Sequence, residues 1–404
     1  MGFRDKLRES VADSRLYRIY HKQAKYYRHR NDPKVILSEG LVLNEFKKGK
    51  QTFFGYYDHS PERNGRYIYH AVNSERLDLG QTVDIYCDEV KIADSRSWNW
   101  QQGTMLSWLN DDEIIFNDFD GNKYISRIIN INSKEERKIC YPIYNLSHDS
   151  SFALSLNFSR LAKLRPDYGY FNLPYQNIAK TDENDGIFMV DLENNTCTLF
   201  LSLKEISSFA MEDSMRNAYH KVNHIMLSPD DKRFIFLHRW YDQKMVKRTR
   251  LVFCDIEDKK MQVLVSEGMV SHCCWKNNHE IIGYLRYQSR DGYYLINIEK
   301  GTVNLLTESE LMLDDGHMGT DKEERYMICD SYPDYTCKSR LMFYDLKNGD
   351  VTVLGRFFSP KQYEGVNRCD LHPRFSADRK EVTFDSVHSG LRHMCRINLS
   401  DLME

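Results

Sequence analysis

Four short stretches put a histidine at the head of a strand-like run: "VNHIML" at 222–227, "SHCCW" at 271–275, "DGHMG" at 315–319 and "CDLHP" at 369–373. In the last, Asp370 and His372 stand at i and i+2, so on an extended strand both side chains point to one face. Imidazoles together with a carboxylate suit a divalent cation such as Zn²⁺ or Mn²⁺. His272, His317, Asp370 and His372 therefore form the candidate ligand set. The competing reading makes them packing residues that hydrogen-bond to nearby turns. The vicinal Cys273 and Cys274 are a poor redox pair, because adjacent cysteines do not easily close a low-strain disulfide.

Other residue types suit proton transfer and sugar recognition. His224 and His238 are candidate general bases near neutral pH, although a histidine bonded to the Ser228-Pro229-Asp230-Asp231 turn fits either position equally well. The stretch "SLNFSRLAKLRPDYGY" (155–170) holds Arg160, Arg165 and Tyr168. Arginine clamps carboxylates bidentately, and a tyrosine hydroxyl can pass a proton to a leaving oxygen. An ordinary long loop is the alternative. Arg239, beside His238, is a further candidate for substrate binding. Tyr57 and His59 in "GYYDHSP", with Trp98, Trp100, Gln101 and Gln102 in "WNWQQG", offer rings and amides to a carbohydrate; core packing competes for the indoles.

These residues need a scaffold that gathers distant segments, and the chain supplies one by repetition. A phrase recurs from about residue 50 onward: a polar or His/Tyr start, an "SP-D"-like turn, a β run, a second turn and a Thr/Val-rich strand. It reads in "VNHIMLSPDDKRFIFLHRW … RLVFCDIEDKKMQVLV" and again in "CDLHPRFSADRKEVTFDSVHSGLRHMCRINL". Seven such units of roughly 40–50 residues predict an all-β fold, a seven-bladed β-propeller with one four-stranded sheet per blade. The expected propeller spans 35–404, with "VILSEGLVLNEF" (35–46) as a spare strand pair closing the ring against the last blade. In such a ring the blade-opening strands line a central channel, and nearly every one of them here begins with His, Arg, Tyr or Gln.

Residues 1–34 differ. Residues 1–35 carry ten Lys/Arg against four acids, +6, which leaves about −9 for the rest of a chain whose formal charge is −3. Apolar residues at i+4 steps predict a basic amphipathic helix ending at Asn31-Asp32-Pro33. Such a helix either lies on an anionic membrane surface or packs on the main domain. The overall charge gives no reason to expect a nucleic-acid partner. The ten cysteines match no disulfide or CxxC spacing and read as thiols of a reducing compartment. With no secretion signal and no apolar run of membrane-spanning length, the expectation is a cytoplasmic protein, with peripheral contact to the inner face of the membrane where the basic helix lies on it.

The phrases "GYYDHSP", "WNWQQGTMLSW", "SLNFSRLAKLRPDYGY", "DGHMGTDKEERYMICDSYPD" and "RCDLHPRFSADRKEVTFDSVHSGLRH" together resemble the seven-bladed propeller polysaccharide lyases, in particular the oligogalacturonate-lyase and ulvan-lyase-like groups. The resemblance runs from about residue 51 to 400. It implies β-elimination on a uronate-containing glycan, with a divalent metal held by His272, Asp370 and His372, a weaker match at Asn367, and His224 in the place of a catalytic histidine. Arg160 and Tyr168 fall where ulvan-lyase-like enzymes place an Arg and a Tyr. Asp370 departs from the His-Pro-His-like phrase of oligogalacturonate lyases. The basic N-terminus is also unlike secreted degraders and points to an acidic oligo- or polysaccharide handled inside the cell, as in surface-polysaccharide synthesis. Two other readings stand beside this one: a non-catalytic glycan-binding propeller in capsule or lipopolysaccharide assembly, and a protein–protein scaffold.

Overall fold

A computed structural model describes residues 24–75, 80–173 and 177–403. Its strands form seven antiparallel sheets, each one blade of a propeller, spanning 51–95, 107–139, 145–202, 219–265, 270–305, 318–358 and 374–398. The fold is the expected seven-bladed β-propeller.

The sequence accounts for each blade locally. In blade four the second strand, Arg233–Tyr241, reads "RFIFLHRWY", with Phe234, Ile235, Phe236 and Leu237 at 0–1% exposure. A strand apolar on both faces is what a sheet packed between two neighbouring sheets requires. The "SPDD" phrase is the turn before it. Ser228 Oγ donates to Asp230 Oδ1 at 2.6 Å, and Asp231 takes a left-handed φ of 56°. The same device recurs as Ser147 on Asp149 with Ser150 at φ 60°, and as Ser376 on Asp378 with Arg379 at φ 65°.

Closure differs in detail from the expectation. The segment 35–46 is not a hairpin: Val35–Leu37 adds a fifth strand to blade six, and Leu43–Glu45 becomes the outermost strand of blade seven. The chain's beginning thus completes the blade its end has started. Most of the expected N-terminal helix lies outside the described residues. Residues 24–29 are helical. The segment between them and the first strand sits on blade six, with Lys34 Nζ 3.8 Å from the Phe358 ring centre and Lys338 Nζ 3.5 Å from Asp32. Among the described residues no helix is long and apolar enough to cross a membrane. All ten cysteines are free, eight of them buried.

A second regularity joins blade to blade. One buried polar side chain on the second strand of a blade grips the backbone where the next blade enters the channel. His70 Nε2 accepts from the Thr104 N–H, and Asn117 bonds both the N–H and the C=O of Ile143. Asp330 accepts from the His372 N–H, and Asp385 from those of Phe54 and Gly55. Buried backbone groups must find partners, and these four side chains supply them where blades meet.

Candidate functional site

The channel end formed by the starts of the inner strands gathers four histidines from four successive blades: His224, His272, His317 and His372. Ring centres are 5.6 Å apart for His224–His272, 4.0 Å for His272–His317 and 4.2 Å for His317–His372. All four are buried. Local backbone irregularity aims them. The innermost strand of blade four has a register shift between Asn223 and Met226, and that of blade five has one between Val270 and His272. Bulges of this kind redirect side chains beside functional sites. His224 and His372 also take left-handed φ values of 54° and 47°, a strained choice for non-glycine residues that the surrounding packing must enforce.

Carboxylates orient the rings. Asp330 accepts from the His317 N–H at 2.6 Å and lies 3.1 Å from its Nδ1, while Asp315 lies 3.0 Å from His272 Nδ1. The Nε2 atoms of His224, His317 and His372 are buried and, among the described residues, have no hydrogen-bond partner. His317, Asp370 and His372 bring one ligand atom each to within 4.8 Å of one another. His317 combines a partnerless Nε2 with an Nδ1 held by a carboxylate, the arrangement of a metal-binding imidazole, and with Asp370 and His372 it fits a divalent cation. Burial opposes charge on His317, but Asp330 outweighs it and raises its pKa. Burial lowers the pKa values of His272 and His372, and the neighbouring His317 lowers them further. Below the arc lie Tyr56 and Tyr57; the Tyr57 ring is 5.2 Å from that of His317, and its hydroxyl donates to the Cys273 carbonyl.

Over the arc sits the excursion of blade three. Asn157 caps the helix Phe158–Leu164, and a 3-10 turn Pro166–Tyr168 comes next. It carries Arg165, Asp167 and Tyr168, whose ring lies 5.5 Å from that of His224. Arg368 ties this cap to the arc, donating to Asp370 Oδ2 at 2.7 Å, to Tyr168 Oη at 3.2 Å and to Asp167. Beside it is an excess of cations. Arg239 is 3% exposed; among the described residues it reaches only the Val270 and Ser271 carbonyls, and its Nε has no partner. Lys221 is fully buried and donates to the Leu164 carbonyl. Burial, then Arg239 and Arg165, lowers the Lys221 pKa well below its usual value; the same causes bring Lys247 to about 8, although its side chain reaches solvent. Among the described residues no carboxylate lies within ion-pair reach of Arg239, Lys221 or Lys247. Asp167 pairs with Arg165 at 3.1 Å, and Asp167 and Asp315 offset the rest only at longer range, so positive charge is in excess here and an anion would stabilise it.

Several predicted residues stand elsewhere. Arg160 is consumed by Asp185 at 2.6 Å and by the Ala179 and His220 carbonyls. His238 has no free ring nitrogen: Nδ1 accepts from Arg250, and Nε2 faces His220 Nδ1 at 2.9 Å. Both are held within the framework, away from the arc. His59 bonds the Leu106 carbonyl and lines a cavity of about 920 Å³ at the opposite mouth. Trp98 and Trp100 are 2% and 1% exposed and pack on Phe53, so the surface expected for sugar stacking is absent there. Gln101 and Gln102 act as braces, Gln101 on the Arg368 carbonyl and Gln102 on the Tyr144 hydroxyl, which in turn accepts from the His224 N–H. Sequence reasoning missed Asp315, Asp330, Lys221 and Arg368. Arg368, directly before "CDLHP", was the one its neighbours could have flagged.

No family model and no curated protein matches the chain. Solved structures do resemble it. An oligogalacturonate lyase in complex with manganese is 14% identical with a TM-score of 0.58, covering 91% of this chain and 97% of that one. An oligogalacturonate lyase from Vibrio parahaemolyticus is 13% identical with a TM-score of 0.63, covering 91% and 96%. The tricorn protease reaches 0.50 at 12% identity over 87% of this chain and 34% of its own. At such identities the likeness establishes the propeller fold.

Proposed function

We propose that the chain is a lyase that cleaves a uronate-containing glycan by metal-assisted β-elimination. The observation that carries this reading is the histidine arc, with three Nε2 atoms partnerless among the described residues, beside an excess of buried cationic side chains. His317, Asp370 and His372, with His272 adjacent, would hold Zn²⁺ or Mn²⁺. When bound, the metal would supply positive charge to the substrate carboxylate and so acidify the proton on C5.

The chain's own groups do the rest. Arg239 and Arg165 attract the uronate carboxylates and orient the sugar over the arc. His224 is the proton acceptor: burial, then the Arg239 guanidinium, holds its pKa well below the usual range, so the ring is neutral at pH 7. It takes the C5 proton, the C5–H electrons become the C4–C5 double bond, and the C4–O bond breaks. Tyr168, whose hydroxyl accepts from Arg368 at 3.2 Å, returns a proton to the departing oxygen. The capping excursion keeps water from the site.

One contact favours the binding-only alternative. The Asn223 amide nitrogen faces His224 Nδ1 at 3.0 Å, while Asn223 Oδ1 has no partner. That orientation places the ring proton on Nε2, making His224 a donor; turning the amide restores the basic lone pair. The deciding experiment incubates metal-replete protein with oligouronides and acidic capsule fragments and monitors the ultraviolet absorbance of the unsaturated product. Product is expected from wild type and lost in His224→Ala, which retains binding. Binding without product from any substrate would leave a glycan-binding propeller.

A further inference from the structure

A second cluster of metal-ligating residues lies where the ring closes, on the outer strands of blade seven. Glu45 belongs to the outermost strand, Leu43–Glu45, contributed by the chain's beginning. It pairs directly opposite Cys395 on the strand His393–Asn398. Partners across an antiparallel ladder share a face, and so do residues two apart on one strand. Cys395 and His393 therefore project to the same side as Glu45. His388, in the turn between the last two strands, completes the group: Glu45, His388 and Cys395 each bring one ligand atom to within 4.8 Å of the others.

The polar groups here are only partly satisfied. His388 Nδ1 is engaged by Ser386 Oγ at 2.8 Å, and its Nε2 faces Glu45 Oε1 at 3.4 Å. Among the described residues Glu45 Oε1 is nonetheless buried without a hydrogen-bond partner. Alongside, His393 is 7% exposed and its Nδ1 has no partner among the described residues. Buried donors and acceptors are normally satisfied. Here an imidazole nitrogen and a carboxylate oxygen approach each other beside a thiol and a second, unsatisfied imidazole. A cation at the centre would satisfy them together.

We infer that Glu45, His388 and Cys395 form a structural zinc site, with His393 available as a fourth ligand, that fastens the N-terminal strand to the last blade. Carboxylate, imidazole and thiolate are each established zinc ligands, and thiolate disfavours Mg²⁺, Ca²⁺ and Mn²⁺. The three firm ligands come from both ends of the chain, so the metal binds only the closed ring and stabilises it by mass action. Glu45 is 17% exposed, which gives the ion a way in. The Cys395 proton leaves to solvent on binding, so uptake releases one proton per ion from the thiol.

Cobalt(II) is the probe, because only a sulfur ligand yields an intense thiolate-to-cobalt charge-transfer band, and the histidine arc offers no sulfur in its ligand group. Full-length apo-protein titrated with Co²⁺ should develop that band to saturation. Cys395→Ser and the apolar Cys395→Ala, checked for native near-ultraviolet dichroism, should lack it, and Glu45→Gln should weaken the titration about tenfold or more. Chelator should lower the thermal midpoint of wild type more than that of either Cys395 variant. Absence of the band in folded wild type under excess Co²⁺, or its persistence in both Cys395 variants, overturns the site. Neither result depends on lyase activity.

Discussion

Asp385 offers the sharpest test of how the ring holds the channel floor. It is 1% exposed, as is its partner Arg374 at 3.3 Å. Its two oxygens also accept from the N–H groups of Phe54 and Gly55 at 3.0 and 2.9 Å, while Arg374 donates to the Gly55 and Tyr56 carbonyls. Gly55 admits no side chain, since its φ is +114° and a Cβ would lie 2.7 Å from the Gln102 carbonyl carbon. The segment leading to Tyr56 and Tyr57 therefore hangs on this carboxylate. Asp385→Asn keeps the volume and one acceptor but leaves a buried guanidinium uncompensated, a change that costs about 3–5 kcal/mol. Asp385→Ala also orphans two backbone N–H groups, at about 1–3 kcal/mol each. Against a total stability of about 5–15 kcal/mol, the alanine variant should sit at the edge of folding. Urea unfolding at matched m-values measures the loss. Adding Arg374→Met to Asp385→Asn removes the stranded charge and should recover about 2 kcal/mol or more. An Asp385→Asn protein within about 1 kcal/mol of wild type, or a double variant no more stable than the single, would refute the argument.

Two further outcomes are expected at the site. Lys247, with a pKa near 8, is charged below that value and neutral above it, so affinity for oligogalacturonate should be highest below pH 8. It should weaken by up to about one decade per pH unit above; Lys247→Met should flatten this dependence in isothermal titrations. Asp330→Asn removes the carboxylate that fixes the His317 ring and should weaken Mn²⁺ or Zn²⁺ binding at the arc about 10–100-fold, read by competition with a metallochromic chelator, while the cobalt–thiolate signal at Cys395 stays.

The blades were legible in the sequence because their signal is local: alternating or wholly apolar strands repeat in the units, and a Ser-x-Asp turn marks three of them. The histidines were legible for the same reason, standing at one phase of that repeat. What the strand pattern does not encode is which side chains point inward at a given phase. Trp98, Trp100, His59, Arg160 and His238 occupy plausible positions by phase. A loop that folds back on Phe53, the opposite mouth of the channel, and the interior of blades three and four claim them instead.

The harder omission was the set of bridges between blades. His70, Asn117, Asp330 and Asp385 do one job at equivalent places in four blades, yet they are three residue types and form no motif. The job is to accept a backbone N–H from the next blade, which a neutral imidazole, an amide or a carboxylate can each do. That task constrains geometry and leaves identity free. At Asp330 the task also serves the arc, because the oxygen pair that grips the His372 backbone orients the His317 ring. A carboxylate is required there, whereas an amide suffices at Asn117. The one bridge whose chemistry is constrained by the arc is thus the one that would reveal the site. Exchanging Asp330 for Asn should spare the blade junction and weaken the metal, and losing both together would mean that the junction, not the charge, holds His317 in place.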